Sequence, residues 1–590
     1  MRFVLAIISF VLAAVLMGIG IGQRTIFAGP DEVVAKTSQA SPAAVTVIDG
    51  SALGAHPQGQ TVTLSGATKI SAAYGRTTDV LGWVGTTTYN HVTFDEKTGK
   101  LVSKVVEGDA TEVPTLAGSD LWLKEYNAVD SLQFRANLPD DVSVIAVSNG
   151  VDAAPADVTI RWPLDNSTPW SGPLLAAGAA LLLLGLGLLI WALTHMRNSR
   201  GPRRTPPKQP KMPKLPRQPR YKPKKANAKA IAAPKGRRAT RRSIAVVPVL
   251  LVGALALTGC TTDILPALTG KAAATPTATA TETPTTVVLP PAVTEAQIVS
   301  IVRDISTVTA KSDSDLDKKL IATRMTGPAL ELRLANYTVR KANSKLPGAT
   351  AILPGPIKLS LPQQTDTWPR SVFVVVQDET DTTVAPMALM LVQADARSNY
   401  KVEYATPLAA DAVIPGVAAA NVGAAQLGLD NKFPQMEPGK IAAAYGDILM
   451  KDKASTSYAS FQAAGDELRT AVGLAAKQAT KKALPKTAKI TFTNSPGTGD
   501  VIALATNNSG ALVTVQLNET ETVTPVSSGA AISSKGAVAS LLGKAKSTKG
   551  IVTTYSDQLL FYVPSAEEPS KIVLLGFTQG LISAKEYKKK

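Results

Sequence analysis

Apolar and polar positions change rhythm several times along the chain. Phe3 to Gly22 (FVLAIISFVLAAVLMGIGIG) is an uncharged run of about twenty residues, long enough at about 1.5 Å per residue to cross a hydrocarbon core of about 30 Å. The flanking residues Gln23, Arg24, Thr25, Ile26 and Phe27 lack a small-residue cleavage pattern, which predicts an uncleaved anchor, transmembrane helix 3–22. A second run, 173–194, contains LLAAGAALLLLGLGLLIWAL, with Trp170 before it and Trp191 near its end, and predicts a second transmembrane helix. The third, 244–259, has only about sixteen residues and contains Pro248, so it reads as a short membrane or signal-type segment.

Between the first two runs, residues 36–168 alternate apolar and polar positions in short stretches broken by Gly, Asp, Asn and Pro. The clearest strands are TVTLSG (61–66), SLQFRANL (131–138), DVSVIAVSNG (141–150) and ADVTIRW (156–162), with HVTFDEKTGKLVS a hairpin turning at Gly99. About eight strands with almost no helix predict an all-β, sandwich-like outer domain or small barrel.

Residues 261–293, a Thr/Pro/Ala tract, cannot bury enough apolar area to offset ordering and predict an extended stalk. Helical periodicity then begins with a capping box, Thr294 with Gln297, ahead of Ile298, Ile301, Val302 and Ile305. A helix at 327–343 and strands at 370–378, 385–395 and 400–406 complete a first α+β repeat, 294–410. The order recurs over 435–585, with helices near 437–450 and 464–482 and strands at 500–508, 510–518 and 551–563. ELR at 331 and again at 467 marks an internal duplication. Helices followed by an antiparallel sheet make each half similar to cystatin-like or NTF2-like folds in element order, which by itself implies no activity.

Charge refines this picture in one place. The formal net charge is +17, yet residues 197–242 contain eighteen Lys/Arg and no acid, leaving the remainder one charge negative. Arguments for a nucleic-acid partner therefore do not extend to the folded regions. Within the basic segment, Lys208, Lys211, Lys214, Arg217 and Arg220 each follow a proline at a spacing of three. Polyproline II has three residues per turn, so the cations form one ridge suited to anionic lipid headgroups. By the positive-inside rule this segment is cytoplasmic, and residues 23–172 lie outside.

Cys260 is the sole cysteine, so no intrachain disulfide exists. It ends Leu257-Thr258-Gly259-Cys260, after the apolar run and the cations Lys235 to Arg242. The pattern resembles a bacterial lipobox inside the chain. That resemblance implies an acyl chain on the Cys260 thiol, a lipoprotein character, and small residues Thr258 and Gly259 at a processing bond. The whole arrangement resembles uncharacterised actinobacterial envelope membrane proteins, a group to which the label glycosyltransferase is attached.

Catalytic signals are absent from the spelling. Walker A, GxSxG, HExxH and CxxC patterns do not occur, and no histidine follows His195. In SDSDLD, Asp313, Asp315 and Asp317 resemble a calcium loop, but the positions for its Gly and Glu are Lys318 and Arg324, so helix N-terminal acids are the simpler reading. His56 and His91 read as surface residues. Trp83, Trp122, Tyr74, Tyr89 and Tyr126 fit either core packing or a sugar-binding face, and Trp368-Pro369-Arg370 fits either an exposed contact point or sheet-edge packing. No cofactor or metal is expected. The sequence thus predicts a non-catalytic, multi-pass cell-envelope binding or assembly factor, with membrane lipids and cell-wall glycan or another envelope protein as partners. An envelope polysaccharide enzyme or a secretion accessory is the alternative.

Overall fold

A computed structural model describes residues 2–37, 42–110, 113–149, 152–165, 167–198, 289–381 and 383–588. These fall into two compact units, residues 2–17 with 176–198, and residues 18–175 with 289–588.

The first unit is built from parts of two helices, α1 (Arg2–Thr25) and α4 (Ser171–Asn198). Both are long and apolar enough to cross a membrane. Small residues set their contact: Gly185 lies against Phe10 and Ser9, and Gly178 against Met17 and Ala13. A side chain at Gly178 would meet Met17 Cγ at 2.5 Å, so the glycine sets how closely the backbones approach. Ala6, Ala13 and Ala192 are buried, whereas Leu5, Ile7, Ile8, Val11, Leu12, Leu183 and Ile190 are exposed.

The second unit begins with strands β1 (Glu32–Lys36) and β2 (Val45–Ile48), a short helix α2 (Gly50–Leu53), and the long β3 (Gln60–Arg76). Helix α3 (Thr77–Val84) precedes the predicted hairpin, β4 (Tyr89–Asp95) and β5 (Lys100–Val106), with Gly99 at a φ of 64° in its turn. Strands β6 (Lys124–Ala136), β7 (Val142–Val147) and β8 (Asp157–Pro163) follow. All eight join one sheet rather than two facing sheets, in the order β1-β8-β3-β7-β2-β4-β5. One edge of β3 carries β6, while β8 and β7 share the other edge at its two ends. The sheet curls until Thr37 bridges Leu101, giving a small closed barrel. Val62, Leu64, Val92, Val144, Ile160 and Trp162 fill it. The run VSVIAV is buried on both faces because Ile145 and Val147 pack outward against Val80, Trp83 and Trp122, which explains its continuous apolar spelling.

The C-terminal region combines helices with two antiparallel sheets. Its first half has α5 (Glu295–Asp315), capped by the expected Thr294 and Gln297 box, then α6 (Lys318–Ile321) and α7 (Gly327–Ala342). An antiparallel meander follows, β9 (Ile357–Pro362), β10 (Arg370–Val376), β11 (Met387–Gln393) and β12 (Lys401–Pro407). The second half has α8 (Ile441–Lys451), α9 (Glu467–Val472) and α10 (Leu474–Ala483). Its strands β13 (Ala488–Pro496) and β14 (Ile502–Ala505) both pair β15 (Ala511–Pro525). After β16 (Ile532–Ser533), α11 (Gly536–Leu542) and β17 (Lys546–Ser547), long strands β18 (Ile551–Val563) and β19 (Val573–Glu586) complete the sheet β13-β15-β18-β19.

The two sheets pack face to face. Phe373, Val375 and Met390 of the first meet Leu504, Leu512 and Leu560 of the second, while the outer faces carry α5 and α7 on one side and α8 and α9 on the other. The four layers leave β10 and the first half of β15 buried on both faces. Each ELR arginine is held by an aspartate. Arg333 of the first ELR pairs with Asp313 at the end of α5 at 3.0 Å, and Arg469 of the second ELR pairs with Asp452 just after α8.

Several expectations change. The single helix expected over 464–482 breaks at Gly473, where an extended residue separates α9 from α10. Asp313 and Asp315 lie at the C-terminal end of α5, not at a helix start; Asp317 alone caps a helix, accepting from the Lys319 and Leu320 amides. Within the expected stalk, 261–293, the last residues are folded: Ala292 and Val293 are buried, and the Ala292 amide donates to the Gln363 carbonyl.

Candidate functional site

Three features of the second unit combine polar groups with burial: the seam between barrel and C-terminal domain, a cleft beside Glu403, and a basin beside Lys477. At the seam, α3 presents Asp79, which is 1% exposed, to Arg370 at the start of β10, which is fully buried. Arg370 Nη2 donates to Asp79 Oδ1 at 2.7 Å, and Arg76 Nε donates to the other oxygen at 3.0 Å. Arg76 also donates to the carbonyls of Pro291 and Ala292 at 2.5 and 2.7 Å. A second pair joins Arg324 to Asp120 at 2.5 Å, where the Tyr400 amide also donates. Burial raises the Asp120 carboxyl above its usual range, and Arg324 and the Tyr400 amide pull it back. Around these pairs Arg397 donates to the carbonyls of Trp83 and Val84, both at 2.8 Å. Trp368 and Ala396 join the apolar cluster of Val80, Trp83 and Trp122.

The cleft lies where the two halves meet. Its floor follows from an irregularity in β12: Met390 pairs Tyr404 and Leu391 pairs Val402, so Glu403 is the extra residue of a β-bulge. The bulge buries the Glu403 side chain, 4% exposed, with the Asp500 amide donating to Oε1 at 3.0 Å. Gly327, at a φ of 50°, comes close enough that a Cβ there would meet Oε1 at 2.9 Å. No cation pairs with Glu403 among the described residues. Burial therefore pushes its carboxyl up to about 7, with the Asp500 carboxylate adding to the rise and the Asp500 amide opposing it. Ser371, Asn399, Lys401, Gln426 and Asp500 share a cavity of about 490 Å³ with it. Lys401 donates to the Ala322 carbonyl at 2.9 Å, and Ser371 Oγ to Gln426 Oε1 at 3.3 Å. Such a site reads hydroxyl and amide groups, with Glu403 able to donate a hydrogen bond when protonated and accept one when ionised.

The second half holds a smaller basin of about 230 Å³. Lys477 Nζ donates to Glu519 at 2.6 Å and to the Val472 carbonyl, with Glu521, Phe492 and Tyr555 alongside. Burial raises Glu519 and Glu521, and lifts the fully buried Asp557 to about 7. No cluster of three or more His, Cys, Asp or Glu suited to a metal occurs among the described residues.

The candidate residues named from sequence separate cleanly. Cys260, Lys208, Lys211, Lys214, Arg217 and Arg220 lie outside the described residues, as do the segments 244–259 and most of 197–242 and 261–293. Trp83 and Trp122 are buried at the seam, Tyr126 stacks on Phe134 at 4.5 Å, and Tyr74 lies against both Tyr126 and Phe134. His91 is paired with Asp49 at 3.0 Å, and His56 packs edge-on against Trp162. Trp368 and Arg370 form neither an exposed contact point nor a simple sheet edge: the guanidinium stacks 3.9 Å over the indole and is consumed by the seam. Glu403 was missed because a lone Glu in YKVEYAT alternates as a solvent-facing strand residue would, and only the bulge turns it inward.

The described residues define a class of protein: two long apolar helices, a small β-barrel between them in sequence, and an α+β domain docked on that barrel. Residues 289–586 match the model of the family DUF8094, described as a domain of unknown function, and the chain belongs to that family. No curated protein and no solved structure matches the chain.

Proposed function

We propose that the protein is a membrane-anchored cell-envelope factor that acts by binding. In this reading α1 and α4 span the bilayer, and the barrel and the DUF8094 domain stand together on its outer face. The observation that carries it is the buried seam. Because Asp79 with Arg370 and Asp120 with Arg324 join the two modules, both belong on one side of any membrane that α4 crosses. The basic segment after α4 favours the cytoplasm by charge, so the chain must return, and 244–259 is the remaining apolar run in the sequence able to do it. The exposed apolar surfaces of α1 and α4 support the anchoring. The cleft beside Glu403, ringed by Ser371, Asn399 and Gln426 together with Lys401 and Asp500, supports a hydroxyl-rich ligand such as a cell-wall glycan segment. The lipobox-like motif at Cys260 adds a lipid attachment to this reading, and the resemblance to actinobacterial envelope proteins agrees with it.

One observation favours a second reading. A carboxyl near neutral pKa beside Asp500 in a cleft is also what a general acid needs, which suits an envelope polysaccharide enzyme. Fractionation of native cells with intact-mass measurement tests the anchoring: the reading requires the product in the membrane fraction, with an acyl-sized mass increment at Cys260. For the cleft, turnover of oligosaccharides by the purified protein, abolished by Glu403→Gln, would replace binding with catalysis.

A further inference from the structure

We infer that the seam between barrel and DUF8094 domain is self-sufficient, so that a chain severed in residues 199–288 remains one assembly. This stands apart from the binding role proposed above. The connection between Asn198 and Leu289 spans ninety residues. The contacts that hold the two modules in one arrangement lie in the seam itself.

The seam has the features of a permanent contact rather than of a tethered encounter. Both of its ion pairs are withdrawn from solvent, with side chains between 0 and 8% exposed. Each charge has further partners. Arg370 also donates to the Thr367 and Asp366 carbonyls, and Asp120 also accepts from the Tyr400 amide. Gln297, the capping-box residue of α5, donates through its amide to the Leu121 carbonyl at 2.9 Å, so the start of the DUF8094 domain is fitted to the barrel. Asn399 completes the edge, donating to the Gly118 carbonyl and accepting from the Asp120 amide. Separation would leave Asp79 and Arg370 without each other and expose Trp83, which is the behaviour of hot-spot residues in stable interfaces.

A cut at a lipoprotein-type motif inside a chain would divide the product, but with this seam the division yields a two-chain complex in which the barrel, anchored by α1 and α4, retains the DUF8094 domain. Processing and retention are then compatible.

The test uses the full chain with a site-specific protease sequence inserted after Ala280. The protein is solubilised in detergent, cut to completion, diluted to about 1 μM and separated by size exclusion. Co-elution of both fragments is expected. The same experiment with Asp79→Asn and Asp120→Asn together should weaken association by at least about 100-fold, in line with loss of buried charge partners. Release of a folded C-terminal fragment from the otherwise unaltered protein would overturn the inference. That comparison does not depend on the variants folding.

Discussion

Replacing Glu403 by Gln isolates the consequence of burying a carboxyl without a cation. The amide keeps the shape of the side chain and the acceptor used by the Asp500 amide at 3.0 Å, but it has no proton to lose. In the folded protein the carboxyl titrates near 7 rather than near 4.5. At about 1.4 kcal/mol for each pH unit of that rise, ionising it costs the fold about 3 kcal/mol. The sign follows from the folded state holding the proton more tightly. The contribution of Glu403 to stability is fully present below pH 4.5 and is lost as pH rises through 7. Glu403→Gln should therefore match the parent near pH 4 and exceed it by up to about 3 kcal/mol at pH 8. Thermal or urea unfolding of the detergent-solubilised protein, followed by tryptophan fluorescence at both pH values, measures the difference. Equal effects at pH 4 and pH 8, or destabilisation at pH 8, would refute the reasoning.

Further expectations follow from the same physics. Lys477→Met leaves Glu519 buried beside Glu521 without its cation, which should cost about 3 to 5 kcal/mol at pH 8. The loss should shrink as pH falls, because burial raises the Glu519 carboxyl above its usual range and it takes up a proton, and unfolding curves at acidic and alkaline pH check this. A synthetic peptide of residues 197–242 should bind anionic vesicles and dissociate as salt rises from 0.05 to about 0.5 M, by screening; equal binding to neutral vesicles would reject the lipid contact. Arg333→Met and Arg469→Met should each destabilise their own half, because one removes the pair that ties α7 to Asp313 near the end of α5 and the other the pair that ties α9 to Asp452 just after α8. Hydrogen exchange localised to each half is the measurement, and loss of protection confined to the opposite half would contradict this.

Much of the architecture was legible because it rests on local rules. The Thr294 box, the Gly99 turn and the uncharged runs at α1 and α4 are each fixed by a few neighbouring residues. ELR at 331 and 467 was visible in the spelling, while the contacts of its arginines with Asp313 and Asp452 became visible only in three dimensions. What the sequence hides is long-range. Nothing in TTDVLGW announces that Asp79 will meet Arg370 across 291 positions, and bulges blur the alternation of β9 and β19, whereas β13 alternates without a break and its AKITFTNSP spelling was legible. The Glu403 cleft belongs to the same class, since it exists through a bulge and a contact with Asp500 from the other half.

The central claim is that barrel and DUF8094 domain share the outer face of a membrane. Single-cysteine labelling in whole cells tests it directly, with Cys260→Ser as the background and cysteines introduced singly by Thr98→Cys in the β4–β5 turn, Ser528→Cys after β15, and Gln209→Cys in the basic segment. The account predicts that an impermeant maleimide reaches positions 98 and 528 in intact cells and position 209 only after lysis. Labelling of position 209 from outside, with 98 and 528 protected until lysis, would contradict it.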